Sequence, residues 1–90
     1  LERDLRMESS YWIYSILVDR KDDFTKHMKS CGISTSQVHE RNDIHSCLRK
    51  YKTILPNLDS IKNRLTAIPV GWWVTNEQRQ YIVDCIKKGW

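Results

Sequence analysis

Apolar and polar residues fall in blocks along the chain, and the spacing of the apolar positions changes from block to block. The longest apolar run, Tyr11-Trp12-Ile13-Tyr14-Ser15-Ile16-Leu17-Val18, is rich in aromatic and branched residues and predicts a strand over Ser10 to Asp19. Alternation puts Trp12, Tyr14, Ile16 and Val18 on one face and Tyr11, Ile13 and Leu17 on the other. Because both faces are apolar, this strand is expected at the centre of a sheet or covered on both sides. Phe24, His27, Met28 and Cys31 then recur at i, i+3, i+4 and i+7, the period of a helix with one buried stripe. Asp22 or Asp23 is the expected cap and Gly32 the expected stop, with Lys26 and Lys29 placed to offset the negative end of the helix dipole. His27 lies on the stripe and reads as a packed or rim histidine.

Gly32 is followed by a short second strand carrying Ile33, Thr35 and Val38, and then by a dense polar run from His39 to His45. Ile44, Leu48 and Tyr51 predict a short helix from about Asp43 to Tyr51, and Leu58, Ile61 and Leu65 another from about Leu58 to Arg64. Thr66 to Val70 reads as a third strand, which Pro69 should confine to an edge or a strand end because it has no amide proton to donate. Gly71-Trp72-Trp73-Val74 makes a turn, where paired tryptophans are expected to fill core or interface. Thr75 and Gln78 form a capping box for a last helix whose buried stripe is Tyr81, Ile82, Cys85 and Ile86. The order of elements predicts an α/β domain, a small three-stranded sheet with helices packed on it, over residues 10–90. Residues 1–9, polar and charged with only Leu1, Leu5 and Met7 apolar, read as a lead-in.

Composition narrows the classes this pattern can serve. At 90 residues the chain is one small domain, of a size that buries about 60 to 65 % of its unfolded surface. A hydrophobic fraction of 40% and a charged fraction of 29% exclude a disordered chain. No apolar run approaches a membrane span and no signal-peptide pattern is present, so a cytoplasmic protein is expected. Cys31, Cys47 and Cys85 are too widely spaced for a zinc motif or a disulfide framework, so reduced thiols are expected and metal binding is not. The net charge of +4 comes from basic residues scattered between Arg3 and Lys88 with acids interleaved, which fits a solvated surface better than a nucleic-acid stripe.

The polar run holds the candidate chemistry. His39, Glu40, Arg41, Asn42, Asp43 and His45 cannot be core unless paired, so a surface, cleft or interface is expected for them. Arg41 has the planar fork that clamps a carboxylate or a phosphate, and His39 can donate, accept or act as an acid near neutral pH. Most such runs are only solvated turns.

Several stretches taken in order carry a resemblance. Ser10-Tyr11-Trp12-Ile13-Tyr14 leading to Val18-Asp19, Gly32-Ile33-Ser34-Thr35-Ser36-Gln37-Val38-His39, Ile68-Pro69-Val70, and Thr75-Asn76-Glu77-Gln78 before Tyr81-Ile82 together resemble the C-terminal domain of the DegT/DnrJ family over residues 9–88. The resemblance implies the small domain of a pyridoxal-phosphate-dependent aminotransferase acting on a keto sugar attached to a nucleotide. It further implies a parent in which a large domain holds the cofactor on a lysine, and a homodimer whose subunits share active sites. None of the eight lysines here follows the family's Ser-x-x-Lys pattern, so this chain alone is expected to hold no pyridoxal phosphate and to be inactive. By position in the family's pattern, His39, Arg41 and Asn42 are the substrate-facing residues, His39 toward the sugar or the cofactor lysine and Arg41 toward nucleotide phosphate. Relatives continue the Val-His with a tyrosine and a proline where this chain has Glu40-Arg41-Asn42-Asp43.

Two other classes compete. A small module that binds RNA weakly would use Tyr11, Trp12 and Tyr14 as a stacking strand, but the glycine-aromatic signature of the partner strand is missing. A regulatory or scaffold protein would keep the fold as a dimerisation surface.

Overall fold

A computed structural model describes residues 6–8 and 10–90. Of the lead-in, Leu1 to Leu5 and Ser9 lie outside the described residues. The elements are β1 (Tyr14–Leu17), α1 (Lys21–Ser30), two 3-10 turns (Asn42–Ile44 and Ser46–Tyr51), α2 (Pro56–Ile61), β2 (Leu65–Ile68) and α3 (Asn76–Lys87). β1 and β2 pair antiparallel, Tyr14 opposite Ile68 through Leu17 opposite Leu65.

Among the described residues the expected three-stranded sheet is two strands and a bridge. Of the stretch after Gly32, only Ser36 pairs, exchanging both backbone hydrogen bonds with Ala67 at 3.1 and 2.8 Å. This reverses the expected order, since β2 has β1 on one side and Ser36 on the other, and β1 lies at the edge among the described residues. Pro69 marks where the pairing of β1 with β2 ends. β2 stops at Ile68, so the missing amide falls just outside the ladder and costs β2 nothing. Continued by one step, the register would set Ile13 against Pro69, and pairing ends there. Tyr11, Trp12 and Ile13, read from sequence as strand, therefore precede it, and Tyr11 takes a left-handed φ of 50°. The face predicted for Trp12, Tyr14, Ile16 and Val18 is buried only toward its end: Val18 is buried, Ile16 half-buried, and Tyr14 and Trp12 exposed.

The core lies at the seam between α1 and α3. Phe24 and Met28 from α1 meet Ile82 and Cys85 from α3, with Val18 and Ile33 joining from the flanking segments. Phe24, Met28 and Cys85 are fully buried. Trp90 closes the open end: its ring meets Phe24 edge-on at 4.8 Å, and its indole N–H donates to the Asp19 carbonyl at 2.8 Å. The predicted capping box on α3 is complete in both directions, Gln78 N–H to the Thr75 hydroxyl and Thr75 N–H to the Gln78 side chain. On α1 the cap differs from expectation. The chain enters through Arg20 in the left-handed region, and Asp22 and Asp23 sit within the first turn, where they face the positive end of the dipole. Gly32, at a φ of 73°, ends α1 as expected. α2 begins at Pro56 rather than Leu58, because a proline is accommodated in the first turn of a helix, and it ends at Ile61.

Truncating Phe24 to alanine empties the centre of this seam and is expected to cost about 3–5 kcal/mol. Ile16→Ala, at a half-buried edge-strand position, is expected to cost less. Urea unfolding of the two variants measures the order, and a larger loss at Ile16 would contradict a core centred on the helices.

Candidate functional site

The polar run leaves the sheet at the Ser36 bridge. Gln37 is tied back to Lys21 by a hydrogen bond from its Nζ, and the Thr66 hydroxyl donates to the Ser36 carbonyl at 3.3 Å. Val38, His39 and Glu40 then run exposed to solvent. In place of the expected helix from Asp43 to Tyr51 are the two 3-10 turns, separated at His45, whose backbone is extended at φ −70° and ψ 137°.

Arg41 organises this segment. Its guanidinium meets Asp43 with two parallel bonds, Nε to Oδ1 at 2.7 Å and Nη2 to Oδ2. Nη1 reaches Asp59 at the start of α2, and Nη2 also donates to the Thr53 carbonyl at 3.1 Å. Asp59 takes a further bond from Lys62 at 3.0 Å. The Arg41 side chain is left only 8% exposed. The side chain expected to face a phosphate thus has its fork filled by two carboxylates of its own chain, and it pins the polar run to α2. Once Asp43 is drawn into that fork it cannot cap a helix.

His39 and Asn42 differ from Arg41. Both are exposed, and neither side chain bonds to the described residues. Asp59 and the Thr53 carbonyl were not foreseen as parts of the cluster. Asp59 lies eighteen positions from Arg41, and no helical or strand spacing links them. Among the described residues, no three histidine, cysteine, aspartate or glutamate side chains converge as metal ligands, and no helix is long and apolar enough to cross a membrane.

A groove of about 720 Å³ opens at the other end of the sheet, between the residues before β1, the turn after β2 and α3. Tyr11, Tyr14, Pro69, Trp72 and Val83 line it, with Arg79 as its one cation among the described residues. The paired tryptophans do not fill the core: Trp72 is 94% exposed, and Trp73 stands edge-on to it at 5.8 Å. Trp73 explains the glycine before the pair, since a Cβ on Gly71 would lie 2.6 Å from its ring. Trp12 is exposed nearby, beside Val38 and Pro69 on a second, smaller hollow.

The carboxylates around Arg41 titrate below their ordinary range. For Asp43 the main cause is the Arg41 hydrogen bonds; desolvation opposes it, and the charges of Arg41 and Lys52 add to it. For Asp59 the main cause is the hydrogen bond from Lys62, again opposed by desolvation and assisted by the charges of Lys62 and Arg41. A lowered native value means that the unfolded chain binds protons first as pH falls. The stability these groups contribute is present above the unfolded value and disappears as pH drops through the native one. Arg41→Ala should therefore flatten the fall of the melting midpoint below about pH 4 by removing the Asp43 share, while the Asp59 share held by Lys62 persists. Melting curves from neutral to acid pH measure this, and identical slopes for the two proteins would count against the clamp.

No protein-family profile matches the chain, and neither does any curated protein. Among solved structures it is similar to the sugar aminotransferase CalS13 from Micromonospora echinospora, with 42% identity and a TM-score of 0.94 over 99% of this chain. It is equally similar to AtS13 from Actinomadura melliaura, with 40% identity and a TM-score of 0.94 over 100% of this chain. In each case it spans 24% of the length of the protein it matches. The chain is thus similar, from end to end and at 40% identity or more, to one quarter of a sugar aminotransferase.

Proposed function

We propose that this chain is the C-terminal small domain of a cytoplasmic, pyridoxal-phosphate-dependent aminotransferase of the DegT/DnrJ kind. In this reading the parent acts on a nucleotide-linked keto sugar as a homodimer, and the domain closes part of the substrate site without being competent alone. The observation that carries the reading is the likeness to CalS13, which covers 99% of this chain and 24% of that one. The exposed aromatic end of the sheet supports it. Tyr11, Trp12, Tyr14, Trp72 and Trp73 are all exposed there, a concentration that soluble monomers seldom leave bare. In the parent, the large domain covers it.

The residues of this chain do not fit a cofactor-holding role. A lysine that carries pyridoxal phosphate is kept from water so that its amine is neutral and nucleophilic. Here seven lysines are exposed, and Lys21, half-buried, is bonded to Gln37. The cofactor belongs to the rest of the parent, and no step of its chemistry is assigned to these residues. Their part is to bind and orient. His39 and Asn42 offer free donors and acceptors to a sugar from an exposed loop, and Arg41 holds the loop in place through Asp43 and Asp59.

Two outcomes are expected. With pyridoxal phosphate and then borohydride, the 90-residue chain should give no stoichiometric adduct at a single lysine; one such adduct would refute the division of labour. In the full-length parent, His39→Ala should lower kcat/KM for the nucleotide sugar roughly tenfold or more, equivalent to about 1.4 kcal/mol, while unfolding free energy changes by less than about 1 kcal/mol. Unchanged kinetics would remove His39 from the substrate site.

A further inference from the structure

Trp12 stands just outside the sheet. β1 pairs with β2 from Tyr14 onward, so Trp12 and Ile13 belong to no ladder among the described residues, and Tyr11 turns the chain ahead of them at a φ of 50°. The Trp12 ring is left 79% exposed. It borders a hollow of about 430 Å³ whose apolar wall also includes Val38 and Pro69. Ser34, Thr35 and Ser36 line the same hollow, and none of their hydroxyls bonds to another described residue. No charged side chain lines it among the described residues. Val38 leads directly into His39, whose side chain is exposed.

We infer that Trp12 is the platform on which the sugar ring of the substrate lies, with His39 and the hydroxyls of Ser34, Thr35 and Ser36 around the edge of that ring. This rests on the aminotransferase reading and names the part of the substrate that the domain holds. A hexose ring has faces made of C–H bonds and an edge made of hydroxyls. The C–H bonds carry a slight positive charge and settle on the negative face of an indole, as the edges of other rings do. The hydroxyls need partners that both donate and accept, which serine, threonine and neutral histidine are. The hollow sets the two kinds of surface side by side, the usual makeup of a small-molecule site. Having no cation, it is not built for the phosphates, which call for a fork or a point charge. The larger groove, with Arg79 in its wall, shares no residue with the polar run. A nucleobase would also stack on an indole, but in the substrate it lies beyond the phosphates from the sugar that His39 meets. In the parent the large domain covers this end of the molecule, so the sugar is held between that domain and Trp12, and water leaves both of its faces.

The test is Trp12→Ala in the full-length parent, compared with the unaltered enzyme. KM for the nucleotide sugar should rise roughly tenfold or more while kcat changes by less than about threefold. KM for the amino donor and the inhibition constant of the free nucleoside diphosphate should stay within about twofold, because neither carries the sugar. Trp12→Phe, which keeps a ring, should recover most of the lost affinity. Because Trp12 is exposed and outside the ladder, the melting midpoint of the alanine variant should stay within about 2 °C. An unchanged KM for the nucleotide sugar overturns the proposal and leaves the parent an aminotransferase. An inhibition constant that worsens along with that KM puts the base or the phosphates on Trp12 and overturns it too. So does a common loss in all three constants, which marks a structural role at the domain boundary. A parent with no aminotransferase activity on nucleotide sugars refutes the reading itself, and the proposal falls with it.

Discussion

Burial of Phe24 between α1, α3 and Trp90 is the contact on which this structure depends. A fully buried aromatic or aliphatic side chain contributes about 1.5–3 kcal/mol, and the whole margin of a small domain is about 5–15 kcal/mol. Among the described residues only Phe24, Met28 and Cys85 are fully buried, and all three belong to the helix seam. The sheet adds four residue pairs and one bridge. Its contribution is chiefly geometric. Through Ser36 it fixes where the polar run departs, and through Ile68 it fixes where the aromatic end of the molecule begins.

The two long helices, α1 and α3, were legible in the sequence because their signals are local. The i, i+3, i+4, i+7 stripe from Phe24 to Cys31 and the capping box from Thr75 to Gln78 depend on neighbours within two turns, and the structure keeps both. Strand order depends on distant partners. The aromatic run before Tyr14 has strong strand propensity, yet its pairing stops where Pro69 comes opposite, a fact that requires the register between β1 and β2. The same proline left two places open for the strand before it. It allowed an edge position or a strand end, and the structure takes the second, since β2 ends one residue before it and pairs on both sides.

The candidate site was legible in composition and not in connectivity. Exposure of His39 and Asn42 follows from a polar run that no core could hold. Arg41 has the same local pattern and the opposite fate, because Asp59 arrives from α2 and Asp43 folds back upon it. A charged residue in such a run is thus either a ligand for something outside or the fastener of the loop, and only the position of the second carboxylate distinguishes the two. The bare tryptophans follow a similar logic. Large apolar side chains predict burial, but they do not say against which surface; in the proposed reading that surface is the rest of the parent enzyme.

The placement of Trp90 has a consequence for biosynthesis. Its ring rests on Phe24 and its indole bonds to the carbonyl of Asp19, so the first helix is sealed by the far end of the sequence. β1 likewise finds its partner only after α1, the loop and α2 have been made. As the chain emerges from the ribosome, only Val18 and Ile33 are at hand to cover the apolar stripe of α1, and the rest of its cover waits until α3 and Trp90 have cleared the exit tunnel. Contacts of such long sequence separation make closure slow and late. Through that interval the exposed stripe is the surface a chaperone would hold.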